Sequence, residues 1–142
     1  METMIKIGAN GEQLQPDAPQ WDAVLLPRLG LMFSATDTGA GELTFKQAEA
    51  ACANLTLASF NDWQMPERQE LEAILDLTRY NPAIDPVFFR DAKSDWYWTR
   101  TPVAWSSGCA WLVYFSYGYV GNHDRYGRAF VRAVRRVSPA GQ

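Results

Sequence analysis

Asn61-Asp-Trp-Gln-Met-Pro-Glu-Arg-Gln-Glu-Leu71 is the stretch on which the reading of the fold turns. Ser59-Phe-Asn-Asp62 reads as a turn ending at Trp63, and Pro66 stands where a helix would begin. Proline suits that place because its missing N–H would have no intrahelical acceptor there. Glu67 and Glu70 suit the positive end of the helix dipole. Leu71, Ile74, Leu75 and Thr78 then predict a buried stripe on a helix running to about Tyr80, where Asn81-Pro82 stops it. Upstream, Thr44 and Gln47 have the spacing of a capping box. Phe45, Ala48, Ala51, Cys52 and Leu55 recur behind them at helical intervals, so a first helix precedes the second.

On either side of the helices the pattern is β. Residues 1–20 read as an extended arm with turns at Gly8–Gly11 and Gln15–Pro19. Trp21–Pro27 and Leu29–Phe33 are short apolar runs bounded by Pro and Gly, the mark of strands. Beyond the charged Arg90–Asp95 stretch, Trp96–Thr101, Ala110–Phe115 and Phe130–Arg136 read as strands, with Ser116–Tyr119 as a hairpin connection. Helices first and antiparallel strands later predict an α+β domain. Residues 1–28 form its arm and first strand, 29–137 its body and 138–142 a tail. Trp63 is expected to staple the two helices to the sheet, and Asp62 to accept backbone N–H groups in its turn.

The chain has 142 residues, 47% of them apolar and 20% charged, which is the composition of one ordinary folded domain. No apolar run approaches the ~20 residues that span a bilayer, so membrane insertion is not expected. The first residues lack a positive segment followed by an apolar one, which predicts no cleaved signal and residence in a cytoplasm, or in a virion or host cytoplasm if phage-encoded. Cys52 and Cys109 make no disulfide framework and are expected as separate reduced thiols. Without a CxxC or Cys/His cluster, no structural zinc and no cofactor are expected. The net charge of −3 argues against polyanion binding by the whole surface, so nucleic acid is not the expected partner, although the basic C-terminal third leaves a local version open.

That charge is unevenly spread. Residues 1–95 hold fifteen acids against seven bases, whereas residues 96–142 hold Asp124 alone against six arginines. Ten aromatics also fall between Trp96 and Tyr126. Trp98, Trp111, Val113 and Phe115 are assigned to the core. Tyr117 sits at the turn, where burial within its own domain is hard, and Tyr119 alternates with it onto the same side. Tyr117, Tyr119 and Tyr126 are therefore the sharpest ligand candidates. Trp105 joins them from the Pro102–Gly108 loop, and Arg125, Arg128, Asn122 and His123 as polar contacts, because Tyr, Trp and Arg dominate binding hot spots. The competing use of this face is a homo-oligomer contact, in a dimer or trimer. Arg132, Arg135 and Arg136 read as solvated edge charges or partners of the acidic helices.

The chain resembles a known family. Asn61–Leu71, Asn81-Pro-Ala-Ile-Asp-Pro-Val-Phe-Phe89, Trp96–Pro102, Ala110–Ser116 and Val131–Arg135 resemble, in order, segments of the Lcl C-terminal domain family, across about residues 29–136. The resemblance implies a C-type lectin-like fold, in which two helices pack on a small twisted antiparallel sheet and long loops form the binding face. It implies use in adhesin tips and phage proteins, with no assigned general activity. A family cysteine position in the last strand is Ala133 here, so Cys52 lacks that partner.

Other motifs are read as structural. Gln15-Pro16-Asp17 matches a calcium-and-sugar tripeptide of galactose-binding lectins, but Asn122 and Asp124 offer too few oxygens downstream for a six- to eight-ligand cage. His123 has no evident nucleophile or orienting partner, and no signature surrounds Ser106, Ser107 or Cys109, so no enzyme is expected. The expectation is a non-catalytic recognition module that binds a protein or carbohydrate through its Tyr/Trp/Arg-rich face, adhesin- or phage-receptor-binding-like. The alternatives are a small phage-encoded inhibitor of a host factor and a minor virion subunit.

Overall fold

The computed structural model describes residues 3–137; the expected tail at 138–142 lies outside them. Nine elements follow in order: β1 (Ile5–Ile7), β2 (Ala23–Leu26), β3 (Leu31–Ser34), α1 (Phe45–Ala53), α2 (Arg68–Glu72), β4 (Trp96–Val103), β5 (Ser106–Tyr114), β6 (Tyr119–Asp124) and β7 (Val134–Arg136). The architecture is α+β, as expected. The strands, however, form two antiparallel sheets rather than one, ordered β1-β2-β3-β7 and β4-β5-β6. The expected Phe130–Arg136 strand divides between them. Phe130 exchanges backbone bonds with β4, donating to Trp96 O at 3.0 Å and accepting from Trp98 N at 2.9 Å. Only Val134–Arg136 goes on to pair with β3.

Helix α1 starts as its sequence dictates. Thr44 Oγ1 accepts from Gln47 N at 3.3 Å, and Gln47 Oε1 accepts from Thr44 N at 3.0 Å. Phe45, Ala48 and Cys52 face a core that includes Trp63, Trp98, Leu112 and Ala133. Trp63 is buried there, its indole N–H shared between the Leu57 and Phe60 carbonyls. Burial raises the Cys52 thiol to about 12, the signature of a small core hydrophobe. Both cysteines are free.

Helix α2 is far shorter than its stripe predicted. Ala73, Ile74 and Leu75 donate to carbonyls three residues back, and Asp76 N turns away to Ala83 O at 2.8 Å. The buried Asp76 carboxylate accepts from Thr78 N–H and O–H and from Arg79 Nε, a side-chain alternative to the helix ladder. Hydrogen bonding by the Thr78 hydroxyl holds Asp76 below the usual carboxylate range. Leu71 and Ile74 are buried as expected, but Thr78 is exposed. A second core collects them with Val24, Phe33, Phe89, Tyr97, Val113 and Phe115. No helix among the described residues is long and apolar enough to cross a membrane.

Candidate recognition face

Strand register builds an aromatic row. Trp96 on β4 lies opposite Tyr114 on β5, which lies opposite Tyr119 on β6. Cross-strand neighbours share a face, so their rings stack: Trp96 on Tyr114 at 4.4 Å and Tyr114 on Tyr119 at 5.9 Å. Gly121 makes room, since a Cβ there would meet the Trp96 ring at 2.9 Å. Past the turn, Tyr117 sits 6.0 Å from Tyr119, and Tyr80 stacks on Tyr117 at 6.3 Å. Tyr80 arrives because its loop is bonded to that turn, Asn81 N to Ser116 O at 2.6 Å. Gly118, at φ +91°, lets Leu77 close against the turn. Most of the row is open: Tyr80, Tyr117 and Tyr119 are exposed and Tyr114 and Trp96 half-buried.

The other expected ligand residues do not all join this row. Asn122, His123 and Arg128 line a small cavity of about 150 Å³ with Trp96 and Leu112, directly beside it. Tyr126, 89% exposed, and Arg125 flank a groove of about 450 Å³ against the start of α1, with Phe45, Lys46 and Gly108. Trp105 is displaced from both. The expected Pro102–Gly108 loop is instead a tight turn between β4 and β5, and Trp105 packs edge-on against Trp111 at 5.7 Å. Trp111 is itself half-buried rather than core, with the Arg68 guanidinium 4.6 Å over its ring.

The charge asymmetry is largely resolved by pairing. Arg132, expected as a solvated edge charge or a partner of the acidic helices, is 1% exposed. It donates to Ser34 O at 2.8 Å, Asp37 Oδ1 at 2.9 Å and Asp91 Oδ1 at 3.2 Å, and lies over the Phe89 ring. Burial nevertheless raises Asp37 above its ordinary value, against the pull of Arg132. Arg135 grips Asp62 with two bonds, at 2.6 and 3.1 Å, and this holds the Asp62 carboxyl below the ordinary range. Asp62 therefore serves first a side-chain pair, with a smaller contribution from the backbone of its own turn. Arg136 reaches Glu70 of α2 at 2.7 Å and Arg100 reaches Glu67 at 2.9 Å. Among the described residues Arg125 and Arg128 have no acidic partner, and the buried Arg125 Nε has no hydrogen bond.

Sequence reading missed Trp96, Tyr114 and Tyr80. The first two were legible once the hairpin register was fixed, because Tyr119 then stands opposite Tyr114 and Tyr114 opposite Trp96. Tyr80 carried no such signal, since its position depends on where the loop after α2 docks.

The family model of the Lcl C-terminal domain matches residues 22–135, most of the chain and somewhat more than the resembling segments spanned. The chain belongs to the Lcl C-terminal domain family. No curated protein matches it. In this Lcl C-terminal domain β2 opens the matched region and β7 closes it, so the first sheet joins both ends of the match. Gln15, Pro16 and Asp17 lie exposed in the β1–β2 connection, ahead of the match. Cys109 stands opposite Asp124 and His123 opposite Ala110, so the thiol and the imidazole project to opposite faces of the β5–β6 ladder. The His123 ring contacts the Asp124 carbonyl at 3.1 Å, and Ser106 Oγ contacts Cys109 Sγ at 3.5 Å.

Proposed function

We propose that this Lcl C-terminal domain is a non-catalytic recognition module that binds a protein or glycan ligand along Tyr80, Tyr117, Tyr119, Tyr114 and Trp96. The observation carrying the reading is a continuous, largely exposed row of rings ending beside Arg128, which has no acidic partner among the described residues. Large rigid side chains with polar tips supply contact area at low entropic cost, the composition of hot spots and of antibody paratopes. Stacking favours a protein over a sugar. Three of the ring contacts are near-parallel, so neighbouring rings partly shield one another and leave edges and hydroxyls outward. The separation of Cys109 from His123 supports the non-catalytic reading. Two helices and two antiparallel sheets, with the aromatic row at one sheet end, support a C-type lectin-like assignment.

Capture from bacterial lysate by wild type and by a Tyr80→Ala, Tyr117→Ala, Tyr119→Ala variant, alongside a glycan array, tests the reading. A ligand held by wild type and lost by the variant is expected. Equal retention by both would contradict it.

A further inference from the structure

We propose that β6 is a docking edge, which takes an extended segment of a protein partner as a fourth strand of the β4-β5-β6 sheet and seats an acidic side chain at Arg128. The proposal rests on the recognition reading above and specifies its ligand.

β6 pairs with β5 on one side only. Its six residues keep an unbroken register with Cys109–Tyr114, so no bulge turns the edge away. Arg125 N donates to Gly108 O at 3.0 Å, which fixes the alternation of the antiparallel ladder. Tyr119, Gly121 and His123 then direct their backbone groups to β5, while Val120 and Asn122 direct theirs outward. Among the described residues no hydrogen bond reaches those outward groups. Proteins usually blunt such an edge with lysine, proline or a bulge, and Tyr119-Val-Gly-Asn-His-Asp124 contains neither Lys nor Pro.

Charge selects the occupant. One end of β6 begins at the aromatic row, at Tyr119 beside Tyr117. Towards the other end lies the cavity lined by Trp96, Asn122, His123 and Arg128. Among the described residues Arg128 has no acidic partner, whereas Arg100, Arg132, Arg135 and Arg136 are paired. A strand added here sets apolar side chains against Tyr117 and Tyr119 and a carboxylate at Arg128. Main-chain bonds supply affinity and these two positions supply choice of sequence, the division of labour of strand addition.

The test selects short random peptides by display on the full chain and measures the enriched peptides in solution. Enrichment of an acidic residue a few positions from an aromatic or aliphatic one is expected. On binding, the Val120 and Asn122 amides should become protected from hydrogen exchange. Asn122→Pro removes an outward N–H that the fold does not use and should weaken binding at least about tenfold. Should that variant fail to fold, N-methylation of alternate peptide amides tested on wild type should give the same loss. Arg128→Ala should weaken binding and flatten its salt dependence. Failure to select any peptide, unprotected amides, or full binding by Asn122→Pro would overturn the proposal. So would a wild-type dimer that Asn122→Pro dissolves, since the edge would then belong to a second copy. A peptide lost on Tyr117→Ala plus Tyr119→Ala but indifferent to Asn122→Pro would sink strand addition and leave the recognition reading standing.

Discussion

Arg128 and Arg132 lie four residues apart, and Trp96 and Trp98 two, yet Arg132 and Trp98 are buried while Arg128 is exposed and Trp96 only half-buried. Arg132 is enclosed by Asp37, Asp91, Tyr97 and Phe89, whereas Arg128 lines an open cavity without an acid. Trp98 is fully buried, with its indole N–H on Leu43 O at 2.8 Å, while Trp96 stacks at the margin of the row. Composition alone does not separate these members. What separates them is whether the acidic N-terminal half supplies a partner at the place where the strand delivers the side chain.

The sharpest way to break this contrast is to remove Arg132. Arg132→Leu should cost about 3–5 kcal/mol, because it takes away the buried guanidinium that pairs the largely enclosed Asp37 and the partly exposed Asp91. Arg128→Ala should stay within about 0.5 kcal/mol of wild type. Urea unfolding of both would undo the contrast if the two losses were equal. Trp98→Ala should likewise cost about 3–5 kcal/mol, measured by thermal melting. A melting point near wild type would show that the tryptophan does not anchor the core.

Much of this division was legible beforehand. The capping box at Thr44 and Gln47 located α1 to the residue, because it depends only on neighbours in the chain. Ala23–Leu26 and Leu31–Ser34 were announced by apolar runs between Pro and Gly. What failed were features set by distant partners. The helix expected to reach Tyr80 ends at Glu72 because a buried Asp76 competes for the turn. β6 was not among the expected strands because Gly121, Asn122, His123 and Asp124 have weak strand preference, and β5 supplies the pairing. Tyr117 and Tyr119 were correctly placed together, but Trp105 was not, because the turn between β4 and β5 is tighter than its Pro- and Gly-containing sequence suggested.

Smaller effects sharpen the picture. Gly121→Val should cost about 1–3 kcal/mol by forcing the Trp96 ring off its seat. A change in near-ultraviolet circular dichroism should accompany the loss, and an unchanged spectrum would show that the ring does not depend on that gap. Asp76 has a lowered carboxyl in the folded state, so its stabilisation is present above the ordinary 3.8 and is lost as pH falls below it. Asp76→Asn should therefore flatten the decline of melting temperature in that acid window. An unchanged slope would remove Asp76 from the acid response.

The most direct test of the account is denaturant unfolding of a Tyr117→Ala, Tyr119→Ala, Arg128→Ala triple variant beside Trp98→Ala. The account predicts that the triple variant keeps the wild-type denaturant slope and loses no more than about 2 kcal/mol, the worth of its exposed ring contacts. If the triple variant unfolds as readily as Trp98→Ala, the row is part of the core and the recognition face does not exist as described.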